Sequence, residues 1–175
     1  MSFPPNVLGI DPGIRGGIAL ISGDYVVQTW QMPESEAEIA DLFRRRIAPA
    51  GVGFCLVEFV HAFPEQGVHS VFTFGRNDGL LVGQLLAYEI EFEEIEPRTW
   101  QRALGISPRI KPPDGRKPIV NYVAPETTTD WKKRLQRVAQ ELFPEVAVTL
   151  QTADALLLAE CARRIRVGYR GRCAI

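Results

Sequence analysis

Three carboxylates stand inside segments that would otherwise read as pure core. Asp11 closes the apolar run from Val7, directly before the breaks at Pro12-Gly13 and Gly16-Gly17. Glu58 interrupts Phe54-Cys55-Leu56-Val57-Glu58-Phe59-Val60, and Asp154 opens Ala153-Asp154-Ala155-Leu156-Leu157-Leu158-Ala159. Moving an ionised carboxylate from water into apolar surroundings costs several kcal/mol unless a cation, a proton or hydrogen-bond donors compensate it. The runs themselves contain no Lys or Arg. A fold that gathers the three acids around a divalent cation resolves the conflict, and all-oxygen ligands favour Mg²⁺ or Mn²⁺. Zinc lacks ligands, because His61 and His69 are the only histidines and Cys55, Cys161 and Cys173 form no CxxC pair. Each acid also has an ordinary structural explanation. Asp11 can serve the Pro-Gly turn, Glu58 can pair with a distant arginine, and Asp154 suits the dipole at a helix start.

The pattern around the acids predicts the elements that carry them. Val7 to Asp11, Ile18 to Ile21 and Tyr25 to Met32 read as three strands joined by tight turns, an antiparallel meander. Glu34 to Ile47 has Ile39, Leu42, Phe43 and Ile47 at helical spacing, with acids early and Arg44, Arg45 and Arg46 late. Phe54 to Val60 is the pattern of a central strand covered on both faces. Val68 to Tyr88 reads as one or two helices, and Glu91 to Glu96 as a short strand. Pro97 starts a helix that ends at Gly105. Thr129 or Asp130 is the expected cap of a further helix with Trp131, Leu135, Val138, Ala139 and Leu142 on one stripe. Val146 to Leu150 reads as an extended link, and a last helix begins near Ala153. Gly75, Gly79 and Gly83 share one helical face. Each costs about 1 kcal/mol against alanine, so another backbone is expected to pack there, in the core or across a dimer.

Nothing in the chain of 175 residues suggests two cores, a repeat or a linker. The expectation is one domain over 1–175, with a proline-rich loop at about 107–125 and a basic C-terminal tail. The longest apolar run is too short to cross a bilayer. The absence of a secretion-type leader and the scattered cysteines suit a reducing cytoplasm. The net charge of −1 conceals segregation: residues 1–97 carry 5 basic and 14 acidic side chains, residues 98–137 carry 10 and 3. A polyanionic partner is expected near that basic third quarter. Arg109, Lys111, Arg116 and Lys117, with Lys132, Lys133 and Arg134, are candidate phosphate contacts.

Leu8-Gly9-Ile10-Asp11-Pro12-Gly13, Val57-Glu58 followed by a helix, and Ala153-Asp154-Ala155-Leu156 together resemble the RuvC-type Holliday junction resolvases, especially their phage-like branch. Phe72-Thr73-Phe74-Gly75-Arg76 and Pro97-Arg98-Thr99-Trp100 are similar to that branch as well. The resemblance implies an α/β, RNase H-like fold with a five-stranded mixed sheet, three antiparallel strands followed by two parallel ones, flanked by helices. It further implies a homodimer that cuts four-way DNA junctions by two-metal hydrolysis, leaving 5′ phosphate and 3′ hydroxyl ends. Asp11, Glu58 and Asp154 would be catalytic and would hold two Mg²⁺ ions, with Mn²⁺ able to substitute. The family's fourth metal residue falls on Gln151, an amide where an acid or histidine is usual. His61, with Phe63 beside it, matches the aromatic that probes the junction centre, Arg76 joins the DNA-binding set, and Gly75, Gly79 and Gly83 would lie at the dimer interface. Two other readings remain: a non-catalytic junction-binding protein of the same fold, and an actin-like or sugar-kinase ATPase domain, which shares the strand–Asp–Gly opening.

Overall fold

Alternation along the first strands sends Leu8, Ile10, Ile18 and Leu20 to one side of a sheet and Val7, Ala19 and Ile21 to the other. The computed structural model describes residues 6–23, 27–59, 67–108 and 126–166. Strands β1 (Asn6–Asp11), β2 (Gly17–Ile21) and β3 (Val27–Gln31) form the expected meander, with β1 and β2 paired Asp11 to Gly17 and β2 and β3 paired Gly17 to Gln31. Strand β4 (Val52–Glu58) lies parallel to β1 on its other side, and β5 (Phe92–Ile95) lies parallel to β4. The sheet order is β3-β2-β1-β4-β5, the mixed five-stranded arrangement expected from the sequence.

Helices cover both faces. α1 (Glu36–Leu42) and α2 (Val68–Ala87) bury Ile39, Leu81 and Leu85 against Leu8, Ile10, Cys55 and Val57. α3 (Pro97–Ala103), α4 (Thr128–Leu142) and α5 (Ala153–Arg166) cover the opposite face, where Trp100, Leu135, Ala155 and Leu158 pack on Val7, Phe54 and Leu56. α5 crosses β1 at its glycine. A Cβ on Gly9 would stand 2.2 Å from the Ala155 carbonyl oxygen and 2.3 Å from the Ala159 nitrogen. Only a residue without a side chain lets the helix backbone come so close.

Several boundaries differ from the sequence reading. α1 begins with a capping box in which Ser35 and Glu38 bond each other's backbone, but it gives way to a π-helical turn over Phe43–Ile47 and a 3₁₀ turn over Ala48–Ala50. Phe43 and Ile47 are both buried in that stretch. The cap of α4 is Thr127, paired reciprocally with Asp130, rather than Thr129 or Asp130. Residues 146–150 are a connecting link, as expected. The outer strand β5 carries Glu93 and Glu94 exposed in succession. Cys55 and Cys161 are buried. Among the described residues no helix is long and apolar enough to cross a membrane.

Candidate active site

The period of two along neighbouring parallel strands delivers two of the acids to one place. Ile10 pairs with Val57, so Asp11 and Glu58 end β1 and β4 side by side on the face that α5 covers. The close crossing of α5 at Gly9 then brings Asp154, in its first turn, over the same strand ends. Gly17 keeps the next contact tight, since a Cβ there would lie 2.7 Å from the Gln151 carbonyl oxygen. Asp11 and Asp154 are buried, with 7% and 3% of their surface exposed, and Glu58 is half-buried.

A lysine compensates part of this charge. Lys132, from α4, bonds Asp154 Oδ2 through its ammonium and lies 3.8 Å from Asp11 Oδ2. The cation missing from the apolar runs therefore comes from another helix, 22 residues before Asp154. Trp100, wholly buried in α3, donates its indole N–H to Glu58 Oε1 at 3.0 Å. The Asp11 and Glu58 carboxyl groups lie close enough to influence each other's ionisation. Asp154 Oδ1 is buried without a hydrogen-bond partner among the described residues.

These neighbours leave the acids poised to be protonated when metal is absent. Burial raises the Asp11 carboxyl well above its usual range, the Glu58 and Asp154 charges add to it, and Lys132 pulls the other way. Burial and the Asp154 charge push Glu58 up to about 7 against the pull of Trp100 and Lys132. Burial also raises Asp154, opposed by Lys132. Burial disfavours the ammonium of Lys132, but the carboxylates outweigh it and its pKa rises. Desolvation with like charges close together is the expected signature of a functional carboxylate cluster.

A divalent cation fits this donor set. The oxygens are all carboxylate, one of them is buried and unpaired, and a positive group already stands among them. The three acids do not close into a ready-made cage, and among the described residues no other group of His, Cys, Asp or Glu does so. Gln151 lies half-buried in the turn entering α5.

The remaining candidates fall elsewhere. His61, Phe63, Arg109, Lys111, Arg116 and Lys117 lie outside the described residues. Lys132 is committed to the carboxylates rather than to an open DNA-facing surface, whereas Lys133 is exposed. Arg134 ties the chain on both sides of 109–125: it donates to the Pro108 carbonyl at 3.2 Å and to Glu126 at 3.0 Å, with its guanidinium 4.4 Å above the Trp131 ring. Arg76 pairs with Glu36. Gly75, Gly79 and Gly83 are exposed, and no described atom lies within 4 Å of a Cβ placed on any of them, so none of the described residues packs there. Sequence reading set Lys132 among the phosphate contacts and not among the acids, and it missed Trp100 and Asn77. Asn77 accepts a 2.7 Å hydrogen bond from the Gly13 backbone N–H, beside Asp11.

Sheet order, helix placement and paired strand-end acids define an RNase H-like fold of the RuvC kind. Thermus thermophilus RuvC in complex with a Holliday junction substrate is similar to this chain with a TM-score of 0.59, at 15% identity, over 94% of this chain and 96% of that one. A second structure of Thermus thermophilus RuvC gives 0.54 at 17% identity, over 93% and 96% of the two chains. The yeast mitochondrial Holliday junction resolvase gives 0.46 at 14% identity, over 97% of this chain and 83% of that one. No protein-family model and no curated protein sequence matches the chain.

Proposed function

We propose that this chain is a divalent-metal-dependent endonuclease that resolves four-way DNA junctions and related branched DNA. The observation that carries the reading is the convergence of Asp11, Glu58 and Asp154, one carboxylate oxygen buried without a partner, on the fold of a protein solved with a Holliday junction. Asp11, Glu58 and Asp154 hold the metal, Mg²⁺ or Mn²⁺, with Gln151 contributing a neutral amide oxygen on the side of a second ion. Bound there, divalent ions supply activation of water and stabilisation of the leaving 3′ oxygen, which yields 5′ phosphate and 3′ hydroxyl ends. Trp100 fixes the orientation of the Glu58 carboxylate. Lys132 neutralises the cluster until metal arrives and then has its ammonium available to a DNA phosphate. Lys133, Arg76 and the basic residues of 109–125 join it in holding the backbone, and His61 and Phe63 meet the junction centre. Such contacts make affinity fall steeply with salt.

The outer face of α2 supports a homodimer. Val68, Phe72 and Leu86 stand 86%, 69% and 64% exposed along the same side as Gly75, Gly79 and Gly83. A twofold pair of such helices presents two sites to a junction of near-twofold symmetry. The bacterial or phage-infected cytoplasm is the setting that suits this substrate.

The test is incubation of the purified protein with a synthetic four-way junction, with and without Mg²⁺ or Mn²⁺. Paired nicks that need metal and vanish in Asp11→Asn are expected. Tight junction binding with no nicking under either ion favours the second reading, a non-catalytic junction-binding protein. The neutral Gln151 and the lysine lodged among the acids favour that second reading.

A further inference from the structure

We propose that Asn77 is a positioning residue that ties the catalytic turn after Asp11 to α2, so that one helix serves both the metal carboxylate and the dimer face. The inference rests on the nuclease reading above and deepens it. Pro12 has no N–H, so the first backbone donor beyond Asp11 belongs to Gly13. That N–H is taken by Asn77 Oδ1 at 2.7 Å, from a helix 64 residues along the chain. The turn needs such a hold. Gly13 adopts φ of +99°, in the left-handed region, and its carbonyl accepts from Gly16 N at 2.9 Å. The ring of Phe74, one turn before Asn77, closes over the α-carbon, and a Cβ on Gly13 would stand 3.1 Å from it.

The geometry of α2 gives this hold its reach. Phe74, Asn77, Leu81 and Leu85 lie on the inward side, Leu81 and Leu85 wholly buried. Val68, Phe72, Gly75, Gly79 and Leu86 lie on the outward side. Any shift or roll of α2 when its outer face is covered moves the Asn77 amide, and with it the peptide that aims the Asp11 carboxylate at Glu58. Placement errors of about 1 Å at a reacting centre cost on the order of 100-fold in rate.

The experiment compares wild type with Asn77→Ala and Asn77→Asp, the latter keeping an acceptor oxygen. Three readouts are taken: exchange of the Gly13 amide by NMR, Mn²⁺ affinity by calorimetry, and kcat and KM on a four-way junction. Asn77→Ala is expected to lose Gly13 amide protection, to bind Mn²⁺ about 10-fold more weakly, and to lower kcat about 10–100-fold with KM unchanged. Asn77→Asp restores amide protection and most of kcat. Wild-type kcat and Mn²⁺ affinity in Asn77→Ala overturn the proposal while leaving the nuclease reading intact. Equal loss in Asn77→Ala and Asn77→Asp also overturns it. A wild-type protein that neither binds Mn²⁺ nor cuts the junction removes the nuclease reading, and the proposal falls with it.

Discussion

Opposing influences set the protonation of Glu58. Asp154 and burial favour the neutral acid, while the Trp100 indole and the Lys132 ammonium favour the carboxylate, and the balance leaves it near pH 7, at about 7 against an ordinary 4.5. The folded protein therefore holds this proton more tightly than the unfolded chain does. The resulting stabilisation is full below pH 4.5 and is lost as pH rises through 7. Asp11 and Asp154 are raised in the same direction. Metal-free protein is thus expected to be less stable at pH 8 than at pH 5.5 by up to about 2 kcal/mol from Glu58, at 1.36 kcal/mol per pH unit over the interval from 5.5 to 7, a ceiling because Glu58 keeps some contact with water. Urea unfolding at the two pH values in the presence of a chelator measures it. Glu58→Gln should flatten the difference, and added Mn²⁺ should reverse it by binding only the ionised, folded site. A stability that rises steadily from pH 5.5 to 8 without metal would contradict this account of the cluster.

At the scale of elements, the site exists because α5 lies almost on top of β1. Gly9→Ala places a methyl group where the Ala155 carbonyl and the Ala159 nitrogen stand, so helix or strand must move. The expected cost is about 3 kcal/mol or more, read as a lower urea midpoint, together with loss of Mn²⁺ binding because Asp154 travels with α5. The helix and strand carrying the acids were legible in the sequence because a charge inside an apolar run contradicts its surroundings, and contradictions of that kind point at function. Lys132 was not legible. It sits in Lys132-Lys133-Arg134, a run in which every member reads as a solvated face, and only the packing of α4 against α5 separates the three roles. Trp100 and Glu58 are 42 residues apart and Asn77 and Gly13 are 64 apart, and neither pair leaves a periodic trace. The cap of α4 was misplaced by two or three positions because Thr127, Thr128, Thr129 and Asp130 all qualify chemically. What decides is the reciprocal bond between Thr127 and Asp130.

At the scale of the whole molecule, the glycine row of α2 had a visible period but no visible direction. The fold supplies the direction, outward. Gly79→Arg adds a long charged side chain where nothing in the described chain obstructs it, and it removes a residue that costs an isolated helix about 1 kcal/mol. The variant is expected to fold at least as stably as wild type while sedimenting as a monomer, and to bind a four-way junction more weakly through lost bivalency. A dimer that survives the substitution places the twofold contact on some other surface. The alternative route by which sheet proteins associate is disfavoured from the start. Among the described residues no strand pairs with the outer margin of β5, which presents Glu93 and Glu94 in succession, so a second copy laid antiparallel along it would meet carboxylate with carboxylate. That margin is thereby steered away from fibre growth.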